Sequence, residues 1–151
     1  MEVVIFMGIQ GSGKSTFYKQ RFFRTHIRIN LDMLKTRYRE KSLVEACLHA
    51  KQSFVIDNTN PTAEDRLRYI PIAKQHAFEV IGYFFSPDVE GAIERNQARD
   101  KSEQVPLVAI KSTSNRLEPP SYREGFDQLY QVTLRDNHFF AEDFLSKSSK
   151  N

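Results

Sequence analysis

The chain has 151 residues, 40% of them hydrophobic and 27% charged, a net charge of +3 and a single cysteine, Cys47. That length suits one domain with a core of its own. One cysteine excludes an internal disulfide and favours a reducing compartment, and no stretch approaches the roughly 20 apolar residues of a membrane-spanning helix. The N-terminus has no basic region leading into a long apolar run, so no secretory signal is expected and a cytoplasmic location is. The mild positive charge permits a polyanionic partner without requiring one.

Residues 2–7 form the first apolar, strand-like run and lead directly into GIQGSGKST at 8–16. Gly8, then four residues, then Gly13, Lys14 and Ser15 is the spacing of a phosphate-binding loop. Its glycines let the backbone fold around an anion with amides pointing inward. A helix over 14–22 would bring its unpaired N–H groups and positive dipole end to the same place. Lys14 adds charge to the outer phosphates, and the Ser15 hydroxyl suits Mg2+.

A second strand is expected at 26–29, followed by a helix over 31–50 that breaks near Lys41-Ser42. A third strand at 53–57 ends in Asp57. The helix over 62–76 begins with Thr62 as N-cap candidate and Glu64-Asp65 in its first turn. A fourth strand covers 78–85. Residues 88–98 place Val89, Ala92, Ile93 and Asn96 at helical spacing. The polar stretch 99–121, broken by Pro106, Pro119 and Pro120, reads as a mobile loop, a short helix near 106–116 and an extended connection. A fifth strand is expected at 128–134. Phe139, Phe140, Phe144 and Leu145 have helical spacing and read as a tail docked on the core, while 146–151 reads as a frayed, disordered end. Strands alternating with helices imply a mostly parallel sheet covered on both faces.

Several charged residues suit phosphoryl transfer, each with a plainer role beside it. Asp32 follows an apolar strand directly, where open parallel sheets place ligands. It is suited to drawing a proton from an acceptor hydroxyl, and equally suited to capping the helix from Met33. Phe54-Val55-Ile56-Asp57 is a buried-type strand ending in an acid, the Walker B arrangement that supports a metal; a strand-end turn is the plainer reading. Arg95 and Arg99 share a helix face beside the polar stretch, as lid arginines or as a solvated cationic helix end. Arg66 and Arg68, the group Lys35, Arg37 and Arg39, and Arg21, Arg24 and Arg28 suit a phosphodiester backbone, although each alone is ordinary surface charge. The four histidines show no metal-ligand spacing, so no zinc site is indicated.

From about residue 3 to residue 134 the chain resembles the kinase domain of polynucleotide kinase, the 5′-hydroxyl kinase half of polynucleotide kinase/phosphatase. The resemblance is carried by the loop at 8–16, by Ile29-Asn30-Leu31-Asp32, and by Ile56-Asp57-Asn58-Thr59-Asn60-Pro61 running on into Arg66-Leu67-Arg68-Tyr69. Further pieces are Arg95-Asn96 with Arg99, Val105-Pro106, Glu118-Pro119-Pro120 and Glu124-Gly125-Phe126. It implies a three-layer α/β P-loop fold with five parallel strands in the adenylate-kinase-like order 2-3-1-4-5 and a small helical lid, one domain over 1–145. It implies ATP held by Gly8, Ile9, Gln10, Gly11, Ser12, Gly13, Lys14, Ser15 and Thr16, with Arg95 and Arg99. It implies Mg2+ at Ser15 and Asp57, Asp32, Lys14 and Arg99 in catalysis, and an acceptor near Lys35, Arg66 and Arg68. The acceptor would be a 5′-hydroxyl DNA or RNA end, with separate phosphatase or ligase proteins as further partners.

Two departures touch the acceptor side. Leu31 stands where the family often has arginine before the aspartate, and Lys35 stands where some members have a second arginine. Lysine keeps the charge and loses bidentate contact with phosphate. No DxDGT phosphatase motif occurs, so that companion activity is not expected of this chain. Two other readings of the same loop remain: a P-loop kinase acting on a small-molecule hydroxyl, and a non-catalytic ATP-binding switch.

Overall fold

The computed structural model describes residues 1–144. The elements in chain order are β1 (Glu2–Met7), α1 (Lys14–Arg21), β2 (Ile27–Ile29), α2 (Leu31–Leu34), α3 (Arg37–Ala50) and β3 (Phe54–Ile56). There follow α4 (Ala63–Arg66), α5 (Ile70–Gln75), β4 (Glu79–Phe85), α6 (Val89–Gln97), α7 (Leu107–Arg116), a 3-10 turn (Tyr122–Glu124), β5 (Gln128–Arg135) and β6 (His138–Asp143). They build one six-stranded sheet, ordered β2-β3-β1-β4-β5-β6. The first five strands are parallel and stand in the expected order.

Strand β1 explains the layering. Successive side chains of a strand face opposite ways. Val3, Ile5 and Met7 join Val44, Leu48, Ile70 and Ala73 of α3 and α5 on one face. Val4 and Phe6 join Phe17, Tyr18 and Phe22, on and just after α1, on the other. All five residues from Val3 to Met7 are fully buried, as a strand covered on both faces requires. A third, small cluster of Ile9, Ala92 and Ile110 ties the phosphate loop to α6 and α7.

Three local expectations are corrected. The break in the second helical region falls at Lys35-Thr36, not Lys41-Ser42. Lys35 adopts a φ of 74°, and the Thr36 side chain caps α3 by accepting from the Arg39 amide. The region 62–76 is two short helices, because Pro71 lacks an N–H and its ring would meet the carbonyl four residues back. Thr62 does cap α4, in a reciprocal capping box with Asp65.

The third correction is larger. Residues 138–143 form an antiparallel strand on β5, not a helix. Asp136 and Asn137 both take positive φ, at 52° and 61°, the geometry of a tight two-residue hairpin turn. Docking on the core occurs for two of these residues, the Phe139 ring packing 5.3 Å from Phe17 and the Phe144 ring 5.7 Å from Phe84, whereas Phe140 is exposed. Leu145 and the 146–151 tail lie outside the described residues. Among those described, no helix is long and apolar enough to cross a membrane.

Phe17 sits among Phe6, Phe22, Tyr83, Phe85 and Phe139, with ring centroids 5.3–6.0 Å away. Phe17→Ala should therefore cost about 3–5 kcal/mol and lower Tm by roughly 10 °C; thermal unfolding followed by circular dichroism reads this directly.

Candidate active site

The sheet register assembles the site. Ile5, Ile56 and Ile29 are aligned partners across β1, β3 and β2. The segments that follow them, Gly8–Ser15, Asp57–Asn60 and Asn30–Asp32, therefore emerge at one edge of the sheet, where open parallel sheets bind ligands.

The loop between β1 and α1 is shaped as a cradle. Gly11 and Gly13 have φ of 77° and 95°, values side-chain-bearing residues avoid. A Cβ on Gly11 would lie 2.6 Å from the Ala92 carbonyl oxygen, and one on Gly13 would lie 2.9 Å from the Phe139 ring. No side chain caps the start of α1 and no acid stands in its first turn, so its leading amides and dipole face the loop without a resident anion. The buried Ser12 hydroxyl has no hydrogen-bond partner among the described residues. These features fit a polyphosphate.

Lys14 is buried, and its ammonium donates to the carbonyls of Gly8 at 2.9 Å and Ile9 at 2.8 Å. Burial pulls its pKa from the usual 10.5 down to about 8; Asp57 and Asp32 act against this and Arg99 adds to it. All three charges therefore act on Lys14.

Asp57 is 1% exposed. Its Oδ2 accepts from the Ser15 hydroxyl at 3.0 Å and from Arg28 Nε at 2.7 Å, while Arg28 Nη2 donates to Ser15 Oγ at 2.9 Å. Oxygen ligands of this kind suit Mg2+. No group of three or more His, Cys, Asp or Glu among the described residues could hold a metal ion, so a metal at Ser15 and Asp57 would need phosphate oxygens to complete its shell. Arg28, which the sequence offers only as one of several surface charges, is thus a member of the site.

Asp32 is exposed in the first turn of α2. It does not cap that helix: Asn30 does, its Oδ1 accepting from the Met33 amide at 2.9 Å while its Nδ2 donates to the Asp57 carbonyl. Asp32 borders two adjoining hollows. One, of about 120 Å3, contains Gly11, Gly13, Lys14, Ser15, Asp57, Arg99 and Glu103. The other, of about 280 Å3, contains Leu31, Arg37, Asn60, Pro61, Asp65 and Arg116. Gln10, Asn58, Thr59 and Val105 line both.

A buried network sets the position of α2. The Leu31 amide donates to Asn58 Oδ1 at 2.8 Å, and Asn58 Nδ2 donates to Glu40 Oε2 at 2.8 Å. The Tyr69 hydroxyl and Arg37 donate to Glu40 Oε1 at 3.0 and 2.8 Å. Burial, with Glu40 beside it, pushes the Tyr69 hydroxyl up to about 12, so it stays a donor at any physiological pH. Glu40, 3% exposed, is invisible to sequence reasoning because an acid in a helix rich in Lys and Arg reads as solvent-facing.

The remaining expected residues divide. Arg95 Nε donates to the Gly11 carbonyl, so Arg95 braces the loop from behind. Arg99 lines the smaller hollow. Between them the buried Asn96 side chain clasps both the amide and the carbonyl of Val105, at 2.9 and 2.8 Å, fixing the segment that leads into α7. Thr16 is exposed in the first turn of α1. Arg66 is not on the acceptor side. It is fully buried, paired to both oxygens of Glu124 at 3.0 Å and donating to the carbonyls of Asn60, Pro61 and Glu118. The specific downstream pieces of the sequence, Arg66 and Glu124-Gly125-Phe126, are thus a structural bolt. Arg68 pairs with Asp65 and lines a separate hollow between α3 and α5. Lys35 is exposed at the end of α2 and borders neither hollow.

This fold and loop define a kinase-like P-loop nucleotide-binding domain. A family model described as an AAA domain matches residues 3–120, and the chain belongs to that family. It is 33% identical over 139 residues to the bifunctional polynucleotide phosphatase/kinase of Schizosaccharomyces pombe, covering 89% of this chain and 34% of that protein. It is 34% identical over 150 residues to the putative bifunctional polynucleotide phosphatase/kinase of Acanthamoeba polyphaga mimivirus, covering 94% and 35%. The resemblance to the polynucleotide kinase family therefore holds, and the chain spans about a third of the length of these relatives. Among solved structures, Chaetomium thermophilum Kti12 in complex with ADP-AlF3 superposes with a TM-score of 0.67 at 16% identity, covering 89% of this chain and 90% of that one, a likeness of fold.

Because the lysine's pKa is depressed in the folded chain, its proton costs folding free energy below about pH 8; that cost disappears as pH rises from about 8 toward 10.5. A bound polyphosphate restores the charge, so ATP affinity should fall as pH rises past about 8, with proton uptake on binding. Calorimetry in two buffers of different ionisation heat measures both, and an affinity flat through this range contradicts the assignment.

Proposed function

We propose that this chain is an ATP- and Mg2+-dependent kinase that transfers the γ-phosphoryl group to the 5′-hydroxyl end of a DNA or RNA strand. The observation that carries the proposal is the position of Asp32 on the boundary between the Lys14–Ser15 hollow and a larger one open to an acceptor. In this reading the β- and γ-phosphates lie on the loop amides and Lys14, and Arg99 faces the transferring group from the lid side. When bound between Ser15, Asp57 and the phosphates, Mg2+ supplies neutralisation of phosphate charge.

Asp32 accepts the proton of the acceptor hydroxyl as its oxygen forms a bond to the γ-phosphorus. The bond from that phosphorus to the bridging β–γ oxygen breaks, and ADP leaves with the electron pair. Glu40 and Asn58 hold Leu31 and thereby the turn that carries Asp32. Arg37 and Arg116 front the larger hollow and are the nearest cations to an acceptor phosphate there.

A second reading, transfer to a small-molecule hydroxyl, is favoured by particular facts on the acceptor side. Leu31 stands where the resembled family often has arginine, Arg66 is buried in the interior, and the larger hollow measures about 280 Å3. Salt separates the two. Phosphorylation of an oligonucleotide end should weaken steeply with ionic strength, and that of a small neutral acceptor should not.

With γ-labelled ATP and a panel of 5′-hydroxyl DNA and RNA oligonucleotides, nucleosides and sugars, label is expected on the oligonucleotides. Label only on the small compounds selects the second reading. Asp32→Asn should lower the transfer rate roughly 10²–10⁴-fold with ATP affinity retained, and transfer at the parent's rate removes Asp32 from the base role.

A further inference from the structure

The three bonds joining Arg28, Ser15 and Asp57 form a closed ring. Arg28 Nε and Ser15 Oγ both donate to Asp57 Oδ2, and Arg28 Nη2 donates to Ser15 Oγ, all within 2.7–3.0 Å. Asp57 Oδ2 and Ser15 Oγ, the two oxygens in contact with each other at the expected metal position, are therefore both already held by one guanidinium. Asp57 is 1% exposed and its only ionic partner among the described residues is Arg28. Arg28 itself comes from β2, a three-residue strand at the edge of the sheet, and its side chain is 28% exposed. It has a route to solvent that Asp57 lacks.

From this geometry we infer that Arg28 is a resident competitor for the metal position and sets the divalent-ion threshold for nucleotide binding. Two positive charges cannot share Asp57 Oδ2 and Ser15 Oγ without repulsion. A metal that arrives with the nucleotide displaces the guanidinium from Ser15 Oγ toward the exposed edge, where it is well placed to meet the phosphate charge brought in. With the metal scarce, Arg28 keeps the buried carboxylate paired, so Asp57 is never an isolated buried charge. A charge-assisted contact that reaches two neighbouring acceptors at once, Nε to Asp57 and Nη2 to Ser15, suits the fixed fork of an arginine. The inference rests on the nucleotide–metal reading of the site and is independent of which hydroxyl receives the phosphate.

The test uses the full chain and measures binding, not turnover. Mn2+ is titrated into the protein–ATP complex and followed by electron paramagnetic resonance, and ATP affinity is measured by calorimetry across a Mg2+ series, for the parent, Arg28→Gln and Arg28→Lys. Arg28→Gln should bind Mn2+ about fivefold tighter and reach half-maximal Mg2+ stimulation of ATP binding at correspondingly lower Mg2+. Arg28→Lys, which keeps the charge and loses the second contact, should fall between the two; it carries the test if the glutamine variant does not fold. A midpoint that is unchanged or raised in the variants overturns the role of Arg28. If the parent itself shows no Mg2+ stimulation of ATP binding, the metal reading of Ser15 and Asp57 fails and the inference fails with it.

Discussion

The buried carboxylate of Asp57 is the constraint on which the rest of this site depends. Nearly inaccessible to water, it must be compensated locally, because an unpaired charge there would cost several kcal/mol. Compensation comes from two directions: the Ser15 hydroxyl at the start of α1, and the Arg28 guanidinium on β2. One side chain thereby ties the ends of β2 and β3 to the helix that follows the phosphate loop. It is also the buried acidic group at the point where phosphate, metal and loop would converge.

The run from Asp57 to Pro61 extends this logic residue by residue. Asn58 holds the Leu31 amide and Glu40. The Thr59 carbonyl accepts from the Gly8 amide at 2.9 Å, and the Pro61 carbonyl accepts from the Glu118 amide at 2.7 Å. Asn60, at a φ of 44°, reaches the Phe6 carbonyl with its side chain. Five consecutive residues each satisfy a different strand end, loop or helix, so a backbone polar group is rarely left without a partner where the chain is densest. A sequence of this kind is specific because each side chain answers a separate geometric demand.

Much of this was legible beforehand, for physical reasons. The five parallel strands announce themselves as short apolar runs alternating with helical spacing, and the phosphate loop as fixed glycines between a strand and a helix. The hairpin to β6 was not, because three phenylalanines at 139, 140 and 144 fit a helical period while the turn at Asp136-Asn137 carries no glycine. The burial of Arg66 and Glu40 was equally hidden. A charged residue reads as exposed until its partner is known, and those partners, Glu124 and Tyr69, lie 58 and 29 residues away in sequence. Arg28 escaped for the same reason: its two contacts belong to α1 and to the end of β3. The acceptor side stays the least legible because its hollow is bounded by single residues from many segments rather than by a motif.

The most direct measurement of the central claim is the Mg2+ dependence of ATP affinity in Asp57→Asn. The substitution keeps the size and one oxygen of the side chain and removes its charge. If Asp57 is the pivot of metal and nucleotide binding, ATP should still bind without metal while the gain in affinity on adding Mg2+ falls by at least about tenfold. A variant whose Mg2+ response equals the parent's would contradict the account.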